Sequence, residues 1–90
     1  MRDVMVRDLV RVGLLPVGTM LTCTRNGHFL TAVAISGALV VDGHRQWFEH
    51  PSPAVSIPSG AISSNGWLDW KLPDDHPLDD LRQRYWRGDY

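Results

Sequence analysis

Three turn signatures at close spacing, Asn26-Gly27, Ser36-Gly37 and Asp42-Gly43, cut the middle of the chain into four short strand-like runs, and nothing else in it narrows the fold as far. Asn-Gly is the strongest short hairpin signal, because both residues tolerate the positive φ of a tight turn whose twist matches its strands. Connections this short join only neighbouring antiparallel strands. The runs 20–24, 28–35, 38–41 and 44–48 therefore predict a β-meander. Along the second run Phe29, Thr31, Val33 and Ile35 alternate with Leu30, Ala32 and Ala34. The bulkier set is expected to face the core, leaving a sheet that accepts a helix on one side only.

The flanks read as helices. Asp3 is placed to cap an opening helix with Met5, Leu9 and Val12 on one face and Gly13 as its left-handed end. Leu14, Leu15 and Pro16-Val17-Gly18 then step into a turn. After the sheet, Ser52 and Pro53 read as N-cap and first helical residue, and Pro58, which removes a donor and crowds the preceding turn, limits that helix to about one turn. Beyond a polar loop over 59–64, Asn65-Gly66 reads as a turn into a short extended segment carrying Trp67 and Trp70. Pro77, Leu78, Leu81 and Tyr85 space as a last helix, acidic at its start, basic toward its end, with Gly88 beyond. The expected architecture is α+β: a small antiparallel four-stranded β-meander packed against N-terminal and C-terminal helices, one domain over residues 1–90.

Composition excludes several classes of function. Cys23 is the only cysteine, so neither an internal disulfide nor a cysteine-based zinc finger can form within the chain. No apolar run is long enough for a membrane span or a signal core, which points to a soluble, cytoplasmic protein without a membrane partner. His44, His50, Glu49 and Cys23 lack the spacing of a metal site, and no phosphate loop, nucleophile elbow or kinase signature is present, so no metal, cofactor or catalytic residue is assigned. The net charge of −1 supplies no general attraction for a polyanion. Its distribution is uneven: up to Phe48, Arg2, Arg7, Arg11, Arg25 and Arg45 outnumber Asp3, Asp8 and Asp42, whereas acids dominate from Glu49 onward. A polyanion would meet the first half.

Five elements in order, Gly13-Leu14-Leu15-Pro16-Val17-Gly18-Thr19-Met20-Leu21, Ala32-x-Ala34-x-x-Gly37, Asp42-Gly43, Pro51-Ser52-x-Ala54 and Asn65-Gly66-Trp67-x-x-Trp70, resemble the RAMA (Restriction enzyme Adenine Methylase Associated) domain. Order and spacing carry the resemblance, since no single element is specific. It implies a non-catalytic α+β module from restriction and methylation systems that binds DNA carrying a modified base such as N6-methyladenine. The chain departs from the family where Pro58 follows the Pro51-Ser52-Pro53-Ala54-Val55 segment.

Candidate DNA-binding residues each have an ordinary alternative. Trp67 and Trp70 suit base stacking, but a small domain also needs large core residues; core is the stronger reading for Trp67, while Trp70 and Trp47 stand evenly between the two. Asn65 has the amide that pairs with adenine, yet asparagine before glycine is foremost a turn residue. Ser52 suits a phosphate at a helix start and, more simply, a cap. Arg25, Asn26 and His28 surround one turn while His44 and Arg45 follow another; they form a phosphate clamp if the two turns converge and solvated loops if they do not. The partners expected are DNA, including modified duplex, or alternatively a second copy paired through a sheet edge, or a restriction or methylation protein.

Overall fold

A computed structural model describes residues 3–90; Arg2, counted above among the basic residues, lies outside them. The chain runs α1 (Val6–Arg11), β1 (Met20–Arg25), β2 (His28–Ala34), β3 (Leu39–Val41), β4 (Trp47–Phe48), α2 (Pro51–Ser59), α3 (Gly66–Asp69) and α4 (Asp79–Arg87). The strands pair antiparallel in the order β1-β2-β3-β4, the expected α+β meander. Asn26 (φ 53°) and Gly27 (φ 76°) both take positive φ between Arg25 and His28, as their sequence requires.

The face of the sheet that is covered is the opposite of the one expected. Leu30, Ala32 and Ala34 are buried, together with Leu21, Cys23, Leu39, Val41 and Phe48, whereas Phe29 is 69% exposed. The reason lies in α2, which crosses all four strands on this side. Its own buried residues, Pro51, Ala54, Val55 and Ser59, are small. Where α2 crosses β2, its small residues and the sheet's Ala32 and Ala34 let helix and strand approach closely, while Leu21, Leu39 and Phe48 fill the layer around that contact. Alternation separates two faces of a strand; the volume of the covering element decides which is buried.

Three helices also differ from expectation. Asp3 is exposed and does not cap α1. Met5 is the N-cap, and the Asp8 carboxylate accepts a bond from its backbone N–H at 2.9 Å, the return half of a capping box. Leu9 is buried as expected, but its neighbours in the core are Val4 and Val6, with Met5 and Val12 half-buried. In α2 the N-cap is His50, Pro51 stands first, and the helix continues through Pro58 to a left-handed Gly60 (φ 73°). First-turn prolines lack only donors that have no intrahelical acceptor; Pro58 gives up the bond to the Ala54 carbonyl, but it stands one residue from the helix end, so that loss shortens nothing before it and two and a half turns survive where about one was expected. The segment after Asn65 is the one-turn helix α3 and not an extended strand; it delivers Lys71 into a bridge with Thr22 on the outer edge of β1. The last helix forms as read, burying Leu78 and Leu81 and ending on Gly88 (φ 69°). No helix among the described residues is long and apolar enough to cross a membrane.

Candidate nucleic-acid interface

Alternating strand direction puts the β1–β2 and β3–β4 turns at the same end of the sheet. They are staggered: β2 pairs with β3 only as far as Ala32↔Val41, with the Asp42 N–H donating to the Thr31 carbonyl at 2.9 Å. The first hairpin therefore extends past the second turn by residues 28–30, about 10 Å of strand. Arg25, Asn26, His28, His44 and Arg45 are all exposed at this end.

The longer tip is braced from outside the sheet. Asn26 Nδ2 donates to the Ser59 carbonyl at 3.0 Å, and Arg25 Nη2 donates to the Ser63 carbonyl at 3.2 Å. Arg25 also lies 3.8 Å from the Asp69 carboxylate, which Ser64 Oγ binds at 2.6 Å. A cleft of about 430 Å³ opens between tip and brace, lined by Arg25, Asn26, Gly60, Ala61, Ile62 and Ser63. Ile62 is fully exposed on its rim. Arg25 thus has a fixed direction and spare donors, while Asp69 and Asp42 keep the charge of this end small.

The remaining candidates stand elsewhere. Trp70 is fully buried and its indole N–H donates to the Pro51 carbonyl at 3.1 Å. Trp67 is 8% exposed, with the Arg82 guanidinium 4.6 Å from its ring centre; the same guanidinium lies 4.7 Å from Trp86 and is paired with Asp79. Both rings belong to the core and offer no face to a base, so the even choice for Trp70 resolves to core. Ser52 is the second residue of α2 and its Oγ accepts the Gly66 N–H at 3.0 Å; it is neither a cap nor free for a phosphate. Asn65, exposed, is the N-cap of α3 with φ −100° and not the residue of a tight turn that was expected. Trp47 is 67% exposed on the uncovered sheet face, the face that also carries Phe29. Sequence reasoning missed Phe29 and Ile62: the first was placed in the core and the second in a polar loop. Cys23 is a packing residue whose thiol is pushed up to about 11 by burial, then by the nearby Asp69.

The family model described as RAMA, Restriction Enzyme Adenine Methylase Associated, matches residues 1–89. Among curated proteins no relative matches the chain.

Proposed function

The chain belongs to the RAMA family, whose description ties it to restriction enzymes and adenine methylases, and on that premise we propose that it is a non-enzymatic, cytoplasmic DNA-binding module. In this reading it engages duplex DNA, including duplex carrying N6-methyladenine, through the end of the sheet where the two turns stand. The observation that supports it most is the gathering of Arg25, Asn26, His28, His44 and Arg45, all exposed, at that one end. Arg25 and Arg45 supply planar donors suited to phosphate oxygens, and the braced tip limits the entropy lost on binding. Two arginine contacts imply a shallow salt dependence, a slope of about −2 in log K against log salt. Fluorescence anisotropy with methylated and unmethylated duplexes at low salt tests this. Arg25→Glu with Arg45→Glu is expected to abolish binding; no binding of either duplex by the unmodified chain, or unchanged binding by the double variant, overturns the proposal.

A second reading, a protein-interaction or dimerisation module of the same systems, is favoured by a different observation. The uncovered face of the sheet carries Met20, Phe29 and Trp47, each more than half exposed. Isolated exposed apolar residues are ordinary, but half-buried Val33 and Val40 join Met20 to Trp47 in one apolar row across the sheet, and a continuous row marks a contact surface.

A further inference from the structure

The two edges of the sheet are poor sites for strand addition. β4 is two residues long, and β1 is already bridged at Thr22 by Lys71. Its uncovered face has more to offer. Cross-strand register aligns Met20, Val33, Val40 and Trp47 in one row spanning all four strands. The next row runs Lys71, Thr22, Thr31 and Asp42, the last opposite Thr31 through its backbone bond. Directly opposed residues share a face, so both rows point away from α2. The paired rows carry one cation and one anion, Lys71 and Asp42, which leaves no surplus positive charge for a nucleic acid.

We propose that this face packs against the same face of a second copy of the chain, about a two-fold axis parallel to the strands between β2 and β3. The proposal rests on the protein-interaction reading and is independent of the DNA reading. Two arguments favour a second copy. First, the rows are complementary to themselves under this rotation: Trp47 lies over the partner's Met20, a favourable sulfur–ring contact, and Val33 lies over the partner's Val40. Thr31 meets the partner's Asp42, hydroxyl to carboxylate, while the two Asp42 carboxylates flank the axis about 5 Å apart along the sheet, a repulsion that keeps the pair weak. Second, the size is sufficient for a weak symmetric pair. Two aromatic rings about two-thirds exposed, with Met20 and the half-buried valines and threonines, provide on the order of 450 Å² per copy, or about 900 Å² in all, below the range of stable specific interfaces and in that of weak, transient pairs. Aligned packing of twisted sheets at about 10 Å separation is the ordinary geometry for such faces. Because the axis runs along the strands, both Arg25 tips emerge at the same end of the dimer.

Sedimentation equilibrium from 5 to 500 μM tests the pairing. The expected result is a mass rising from 10.1 kDa toward twice that value, with Val40→Glu and Trp47→Glu monomeric throughout and Arg25→Glu unchanged. Near-UV circular dichroism from the buried Trp67 and Trp70 checks that the variants fold. If the charged variants do not fold, Trp47→Ser and Val40→Thr replace them, and acrylamide quenching provides a second readout: quenching should fall at least twofold with concentration in the parent chain and lose that dependence in Trp47→Phe. A parent chain that is monomeric at 500 μM, or a dimer indifferent to folded face variants, overturns the proposal. The broader interaction reading fails separately, if Trp47 also stays equally quenchable when a purified adenine methylase or restriction nuclease is added.

Discussion

Gly66→Ala is the substitution on which local and tertiary reasoning disagree most. Gly66 has no positive φ among the backbone angles of the chain and opens a helix, so local propensity alone makes alanine neutral or mildly stabilising there. Tertiary geometry forbids it: a Cβ at Gly66 would lie 2.2 Å from the Pro51 carbonyl carbon and oxygen and 2.5 Å from the Ser52 nitrogen, all backbone atoms. Relief requires α3 to retreat from α2 by about 1 Å, which is overpacking of a kind that costs about 1–3 kcal/mol. The retreat also strains two bonds that join the helices, Gly66 N–H to Ser52 Oγ at 3.0 Å and Trp70 Nε1–H to the Pro51 carbonyl at 3.1 Å. At about 1 kcal/mol each, the total loss is about 3 kcal/mol after a small gain in helix propensity. For a domain of this size that corresponds to a fall in Tm of about 12–24 °C. Urea unfolding followed by tryptophan emission is the assay, with the midpoint falling by about 2 M. Gly60→Ala is the comparison, since its φ of 73° imposes strain while its Cβ would meet only Asn26 Nδ2 at 3.9 Å; that strain costs about 1–2 kcal/mol. A Gly66→Ala chain as stable as the parent, or more stable than Gly60→Ala, would refute the argument.

Other outcomes follow from the inverted sheet face and from two titrating groups. Leu30→Ala should cost about 2–4 kcal/mol and Phe29→Ser less than about 1 kcal/mol in the same assay, the reverse of what residue size suggests. Cys23, its thiol held near 11 against an ordinary 9.0, should react with a disulfide reagent at pH 8 at least tenfold more slowly in the native chain than in urea. Because the folded chain keeps that proton longer than the unfolded one, stability should fall as pH rises from about 9 to 11. His76, exposed, is raised above its ordinary value by its bond to Asp80, then by Asp74. Its contribution is complete below the unfolded pKa and is lost as pH rises through the folded one; Asp80→Asn should move its NMR titration to lower pH.

What the sequence by itself determined is local in origin. Asn26-Gly27 set the first hairpin, Asp42-Gly43 marked the second, whose connection runs over 42–46 so that only Trp47–Phe48 of the expected 44–48 run pairs, short connections left only antiparallel neighbours, and the charges and spacing of the last helix located Leu78, Leu81 and Gly88. The ordered motifs were enough for the family. The residues of the candidate interface were legible too, since Arg25, His28, His44 and Arg45 flank turns that can be read directly. Tertiary structure decided the rest, wherever two distant segments compete for one space. Leu30 and the alanines became the inner face because α2 is built of small residues, and no inspection of β2 contains that fact. The Asn65-Gly66-Trp67 motif looked like a turn because glycine after asparagine usually is one; here the glycine is required by the backbone of Pro51, remote in sequence, and Trp70 is held by that residue's carbonyl. The brace that aims Arg25 likewise comes from Ser59 and Ser63. Turn and helix signals act through the conformational preferences of adjacent residues and can be read in one pass, whereas burial and close approach depend on what packs against a surface, which only the folded chain supplies.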